Sequence, residues 1–250
     1  MLSAAFMLAA AVWPQMYMFS LAGMLQNEDC DADAPMHILL SFDDRAHLDD
    51  WVEFAPMLAE RNVEATFMLD RVGTMEESDW QKVQVLLDHG HALGYHGEHH
   101  LGAEASGLTP EAWVQQEVLP SMEVFASRNL SAEVLAMPRG DSTSEHEAAV
   151  LEVVERVRLT AGPAHENVTP WVTGCGMGPV HAAVSLDERW GGVDRWLPEV
   201  LALREGAGFG VVHAYGHEVG GEGVNPDALI ELIDTSQTRG WSWVGYDALP

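Results

Sequence analysis

The sequence predicts an α/β protein built on a parallel sheet or barrel with crossover helices, and three observations lead to that prediction. From Met36 onward, short apolar runs of strand length alternate with longer amphipathic stretches of helix length. The apolar runs end in polar or glycine-rich turns, as strands do when crossover helices connect a parallel sheet. The chain has 250 residues, 47% of them apolar and 20% charged, which is enough for one large hydrophobic core.

The predicted strands and helices alternate along the chain. Strands are expected at residues 37–42, 65–69, 92–95, 133–137, 157–161, 180–184, 209–214 and 241–245. Helices are expected at residues 48–61, 79–89, 110–127, 145–155, 193–205 and 226–238. Two helix starts are well marked, because Pro110 follows Thr109 and Pro226 follows Asn225, and proline favours the first helical position.

The N-terminal segment differs from the rest of the chain. Residues 1–26 carry no charged side chain, and a membrane span needs about 20 apolar residues. Pro14 interrupts this apolar segment, and the segment contains no Lys or Arg. It therefore lacks the positively charged region with which a typical export signal begins. We expect residues 1–35 to be an export signal or membrane anchor with an acidic linker, and residues 36–250 to be the main folded domain. The alternatives are translation from Met36, which would make the protein cytoplasmic, and a helix packed on the domain.

The charge balance excludes several partners. Lys and Arg number 12 against 39 Asp and Glu, a formal net charge of −27. Nucleic acid and anionic lipid are therefore excluded as ordinary electrostatic partners, since phosphate binding needs cationic side chains. Lys82 is the only lysine, and an acidic, lysine-poor surface stays hydrated in concentrated salt. We interpret the chain as halophilic; the alternative is an acidic protein from a GC-rich genome.

Polar residues follow several predicted strands. In a (β/α) barrel, catalytic groups lie at the C-terminal ends of the strands. The residues at those positions are Asp43-Asp44, His96 to His100, Pro138-Arg139-Gly140 and His213 to His217. The spacing of His96 and His100 lets two imidazoles bind one cation, with a carboxylate completing the set. Five histidines lie between positions 89 and 100, so such a spacing also arises by chance.

Three motifs in order make the chain similar to a known family. Residues 41–44 read Ser-Phe-Asp-Asp, residues 65–68 read Ala-Thr-Phe-Met, and residues 90–100 read Gly-His-Ala-Leu-Gly-Tyr-His-Gly-Glu-His-His. They resemble the motifs of the polysaccharide deacetylases of the NodB-homology type, carbohydrate esterase family 4. The resemblance implies a distorted (β/α) barrel of the NodB-homology or glycoside hydrolase-deacetylase type.

The resemblance also implies a metal centre and its base. Asp43 would be the general base, and Asp44, His96 and His100 would bind a divalent metal. We expect Zn²⁺, with Co²⁺, Mn²⁺ or Ni²⁺ as alternatives. A metal-bound water would attack the acetyl carbonyl while Asp43 takes its proton.

Two further groups follow from the same resemblance. The third motif of the family corresponds to Met137-Pro138-Arg139-Gly140, so the backbone N–H of Arg139 would stabilise the oxyanion. The leaving group would receive its proton from a histidine at the end of a late strand. We favour His217, with His213 as the alternative acid.

The chain also departs from the family pattern. Arg45 replaces the glycine of the first motif, and Gly97 replaces the Ser or Thr after the first metal histidine. Ala136 stands where many members have an arginine that pairs with the catalytic aspartate, and Arg139 or Arg45 could supply the missing charge. The fourth motif has no clear counterpart.

We therefore expect a metal-dependent hydrolase that removes acetyl groups, N-acetyl above all, from a glycan or acetylated amino sugar. The alternatives are a metal-dependent hydrolase of another amide or ester, and a non-catalytic carbohydrate-binding barrel. A membrane would be a partner only through residues 1–26. We also expect His181 to be a surface or helix-end histidine. Four tryptophans are candidates for a sugar-binding surface: Trp171, Trp190, Trp241 and Trp243.

Overall fold

The computed structural model describes residues 36–161, 179–194 and 211–248. Several sequence predictions lie outside these ranges: the N-terminal segment 1–35, the first residues of the strand at 209–214, most of the helix at 193–205, and Trp171. Within the described ranges, no helix is both long enough and apolar enough to cross a membrane.

The strands form a closed parallel barrel, as predicted. They are β1 (His37–Asp43), β2 (Ala65–Leu69), β3 (Ala92–Tyr95), β4 (Val134–Ala136), β5 (Arg156–Ala161), β6 (Val180–Ser185), β7 (Val211–Gly216) and β8 (Ser242–Trp243). Strands β1 to β7 pair in sequence order, and β1 pairs with both β2 and β7, which closes a ring of seven strands. The short β8 pairs with the start of β1. Because every strand pair is parallel, the C-terminal ends of the strands meet at one rim of the barrel.

The helices lie close to their predicted positions. In the described ranges they are α1 (Leu48–Glu60), α2 (Glu77–Asp88), α3 (Pro110–Trp113), α4 (Leu119–Ser127), α5 (Ser144–Val150) and α6 (Pro226–Thr238). Both marked starts are confirmed, because Thr109 and Asn225 accept hydrogen bonds from the first free backbone amides. The helix predicted at 110–127 is interrupted by a π-helical turn at Val114–Val118. The helix predicted at 145–155 ends at Val150, before the chain turns toward β5.

Apolar side chains fill the space between the sheet and its helices. Phe42 on β1, Trp51 on α1 and Phe67 on β2 are buried against one another there. The prediction that Trp241 and Trp243 form a sugar-binding surface is wrong, because they are 7% and 4% exposed. Trp243 lies on the short strand β8, Trp241 immediately precedes it, and both side chains pack into the core. Trp190 is 43% exposed, so it remains a candidate.

The interior of the barrel combines apolar and polar side chains. A small apolar cluster around Leu39, Met68 and Val134 lies apart from the main core. Next to it are buried polar residues, among them Arg158 on β5 and His213 on β7. His181 is also buried, with its ring centroid 4.4 Å from that of His213, so the prediction of a surface position is wrong. Burial lowers the pKa of His181 to about 4, which keeps its imidazole neutral.

Candidate metal centre and catalytic groups

Three of the predicted site residues converge at the C-terminal rim of the barrel. Asp44 follows β1, while His96 and His100 follow β3. The Oδ1 atom of Asp44 is 3.2 Å from His100 Nε2 and 3.6 Å from His96 Nε2. The two Nε2 atoms are 3.2 Å apart. In the ranges that the structure describes, this is the one group of three or more His, Cys, Asp or Glu residues whose ligand atoms converge so closely.

These atoms fit a small divalent cation. His96 Nδ1 lies 2.9 Å from the carbonyl oxygen of Ala136, and since a carbonyl only accepts, Nδ1 carries the proton and Nε2 keeps its lone pair. Asp44 Oδ1 is buried and accepts no hydrogen bond from the described residues. Burial, with His96 nearby, lowers the pKa of His100 and favours its neutral, ligating form. Two imidazoles and a carboxylate are a donor set typical of Zn²⁺, Co²⁺, Mn²⁺ or Ni²⁺ sites.

Asp43 lies beside this group in a different environment. It is 2% exposed, and its Oδ2 atom is 4.0 Å from His96 Nε2. The Nη2 atom of Arg158 donates hydrogen bonds to both carboxylate oxygens. Burial by itself would raise the pKa of Asp43, but Arg158, His96 and His217 outweigh it and hold that pKa below its ordinary value. Asp43 is therefore an ionised carboxylate at neutral pH.

Arg158 supplies the charge that the third motif lacks. Its Cα is the register partner of Ala136 on the neighbouring strand, so the arginine stands one strand away from its usual family position. The expectation that Arg139 or Arg45 fills this role is wrong. Arg45 donates to Thr74 at 2.5 Å and lies 3.8 Å from Asp79, and the side chain of Arg139 is exposed. An arginine inside an apolar strand was the sequence signal for this residue.

His217 lies just after β7 and faces the ligand group. Its Nε2 atom is 4.0 Å from Asp44 Oδ2, and its Nδ1 atom is 2.6 Å from Asp187 Oδ2. Burial lowers the pKa of His217, but the hydrogen bond to Asp187 and the charges of Asp43, Asp187 and Asp44 together raise it above the ordinary value. The imidazole therefore tends to carry a proton.

The alternative acid, His213, lies inside the barrel. It is 6% exposed, and its Nδ1 atom is 3.2 Å from the hydroxyl of Tyr246. Burial, with His181 and two arginines nearby, holds the pKa of His213 well below its usual range. A neutral, enclosed imidazole is a poor proton donor to a substrate at the rim.

Asp187 is a site residue that sequence reasoning missed. It is fully buried after β6, and its Oδ1 atom also accepts a hydrogen bond from the backbone N–H of His217 at 3.1 Å. The irregular sequence around it and the abundance of acidic residues concealed it. Its position just beyond an apolar strand was the available signal.

The Pro138-Arg139-Gly140 turn follows β4 at the same rim. Arg139 has φ 62° and ψ 8°, in the left-handed region, and the following glycine also has a positive φ of 64°. This turn brings the predicted oxyanion donor, the backbone N–H of Arg139, to the edge of the barrel where the other groups lie.

The motifs and the barrel together define the family. The family model for polysaccharide deacetylases matches residues 31–161, more than half of the chain. The chain therefore belongs to the polysaccharide deacetylase family. No curated protein matches it.

Solved structures of similar fold include a deacetylase, an esterase and a pseudoenzyme. The Bc1960 peptidoglycan N-acetylglucosamine deacetylase is 18% identical with a TM-score of 0.61, over 88% of this chain and 90% of that one. A family 4 acetyl xylan esterase from Clostridium thermocellum, in complex with a cobalt ion, is 19% identical with a TM-score of 0.53, over 86% and 93%. BA3943, a CE4 family pseudoenzyme from Bacillus anthracis, is 15% identical with a TM-score of 0.56, over 88% and 66%. At these identities the likeness concerns the fold.

Proposed function

We propose that the protein is a metal-dependent deacetylase that removes N-acetyl groups from a glycan. The observation that carries the proposal is the three-ligand group of Asp44, His96 and His100 with two further groups beside it. Asp43 has a lowered pKa and His217 a raised one, and each lies within 4.0 Å of an atom of a ligand residue. A base and an acid with opposite pKa shifts at one site are typical of acid–base catalysis.

The ligand group provides the electrophilic part of the reaction. A divalent cation bound by Asp44, His96 and His100 would lower the pKa of a water molecule and polarise the acetyl carbonyl. Asp43 accepts the proton of the attacking water at its carboxylate. Arg158 holds that carboxylate in place and keeps it ionised. The backbone N–H of Arg139 donates a hydrogen bond to the oxyanion that develops on the carbonyl oxygen.

The acid favours an amide over an ester as the bond that is broken. An amine leaves only after protonation, whereas an alkoxide of low basicity needs less help. His217 Nε2 faces the site and can supply that proton, while Asp187 holds Nδ1–H and orients the ring. The net charge of −27 gives no reason to expect an anionic glycan, so a neutral N-acetylated polymer is the simplest substrate.

The test is acetate release from N-acetylglucosamine oligomers and from acetylated xylan, measured before and after removal of metal with a chelator. We expect N-deacetylation that is lost on chelation and restored by Zn²⁺ or Co²⁺. Release of acetate from xylan alone would favour the esterase alternative. Oligomer binding without acetate release by the metal-loaded protein would support the non-catalytic alternative.

A further inference from the structure

We propose that Glu117 is a positioning residue for the metal ligand His100, and that its carboxylate takes the space which a side chain at position 97 would need. The inference rests on the proposed metal centre. Glu117 lies outside the family motifs in the sequence, in the π-helical turn Val114–Val118.

The carboxylate of Glu117 binds the backbone on both sides of His100. Its Oε2 atom accepts hydrogen bonds from the N–H of His99 at 2.9 Å and from the N–H of Leu101 at 3.2 Å. Its Oε1 atom is 3.0 Å from His99 Nδ1. The backbone carbonyl of Glu117 accepts a further hydrogen bond from the N–H of Glu98 at 2.9 Å. Glu117 therefore holds three positions of the loop around His100, namely Glu98, His99 and Leu101.

His100 needs such support because its backbone is strained. Its φ is 58°, in the left-handed region that non-glycine residues seldom adopt. A residue in that region is strained and persists only when its surroundings hold it. The hydrogen bond from the N–H of Leu101 fixes the peptide plane that follows His100, and the two bonds to His99 hold the residue that precedes it. They thereby fix the direction in which its imidazole leaves the chain.

Glu117 is retained in a place where an acidic side chain is costly. It is 0% exposed, and burying a carboxylate is unfavourable unless it is well hydrogen-bonded. The π-helical turn interrupts an otherwise regular helix, and such turns occur frequently at functional sites. The buried carboxylate and the irregular turn are thus both accounted for by the bonds to the metal-binding loop.

The departure from the family pattern at Gly97 has the same cause. A Cβ atom at Gly97 would lie 2.7 Å from Glu117 Oε2, closer than real Cβ contacts allow, and 3.0 Å from Pro138 Cγ. Gly97 also has φ 81°, which a side chain would strain. Where many family members carry Ser or Thr, this chain has glycine because the carboxylate of Glu117 fills that space.

Two substitutions of Glu117 separate the effect of side-chain length from the effect of charge. Glu117→Gln keeps the length of the side chain and an oxygen that can accept from both amides, but loses the charge. Glu117→Asp keeps the charge but is one methylene shorter, so its oxygens withdraw from the loop. Exposed Glu123 on α4 provides a matched control as Glu123→Gln and Glu123→Asp.

The readouts are the Co²⁺ dissociation constant, from competition with a chelator, and the visible absorption spectrum of bound Co²⁺. Each is measured well below the unfolding temperature of every variant. We expect Glu117→Asp to weaken Co²⁺ binding about 10- to 100-fold, the usual effect of losing a group that orients a ligand, and to alter the spectrum. Glu117→Gln should stay within a few-fold of the wild type, like both control variants.

The outcomes that contradict the inference are distinct from those that contradict the proposed function. If Glu117→Asp binds Co²⁺ as the wild type does, or better than Glu117→Gln, the positioning role is wrong while the metal centre stands. If the wild-type protein itself binds no Co²⁺ or Zn²⁺, the proposed metal centre fails and this inference fails with it.

Discussion

The adjacent carboxylates Asp43 and Asp44 have different surroundings. Asp43 ends β1 and is enclosed with Arg158, whereas Asp44 has φ 71°, outside the strand conformation. In a regular strand, successive side chains point to opposite faces. The left-handed backbone of Asp44 instead turns its side chain toward His96 and His100 at the same rim.

This difference predicts unlike effects of one substitution. Asp43→Asn should leave metal bound but lower deacetylation about 10²- to 10⁴-fold, because a general base contributes that much. Asp44→Asn should lower metal content, and excess metal should restore part of the activity. Metal analysis and acetate release measure both effects, with exposed Asp50→Asn as the control. Full activity of metal-loaded Asp43→Asn would refute the mechanism.

The acid is tested by changing its partner. The pKa of His217 is raised chiefly by Asp187, and His217 must be protonated to act, so activity falls as the pH rises through that pKa. Asp187→Asn removes the charge, which should lower the pKa of His217 and move the alkaline limb of the rate profile to lower pH. His217→Ala should abolish this limb and spare esters with good leaving groups.

His213 on β7, four residues before His217, provides a control. His213→Gln should leave the alkaline limb where it is, because His213 is enclosed and already uncharged. If His213→Gln moves the limb and His217→Ala does not, the proton donor has been assigned to the wrong histidine.

At the scale of elements, either of two neighbouring strands can supply the arginine that pairs with Asp43. Ala136 on β4 and Arg158 on β5 are register partners, so an arginine from either could approach Asp43. The small side chain of Ala136 leaves room for the guanidinium that comes from β5.

Exchange of the two residues tests this relation. Arg158→Ala should destabilise the fold by about 3–5 kcal/mol, since it leaves a buried carboxylate without its partner. Burial then dominates, the pKa of Asp43 rises, and the acid limb of the rate profile moves to higher pH. Adding Ala136→Arg should reverse part of that shift. Denaturant unfolding measures the loss of stability, and pH–rate profiles measure the position of the acid limb. If Arg158→Ala leaves the acid limb in place, Arg158 does not set the pKa of Asp43.

At the scale of the whole molecule, the charge of −27 dominates. Like charges repel most at low ionic strength, and salt screens them over a Debye length that falls to about 3 Å at 1 M. The melting temperature should therefore rise steeply between low and molar NaCl, and an uncharged osmolyte at equal osmolality should have a smaller effect. A melting temperature that does not depend on salt would contradict the halophilic interpretation.

The sequence alone determined the parts of the protein that depend on local pattern. The spacing of apolar residues and the turn residues predicted all eight described strands and the start of α6. They did not reveal the π-helical turn at Val114–Val118. The motif order predicted that Asp44, His96 and His100 come together, as the structure shows. The strands and the helix start are readable because each is encoded within a few neighbouring residues, and the ligand group is readable because the motifs resemble those of a known family.

Only the tertiary structure decided which distant side chains support that site. Arg158 reaches Asp43 across 115 positions of sequence, Asp187 reaches His217 across 30, and Glu117 reaches His99 across 18. Likewise, the burial of Trp241 and Trp243 depends on where β8 joins the barrel. Such contacts depend on how the seven strands pair around the ring, and the pattern within one strand does not identify its partner residues on another strand or loop.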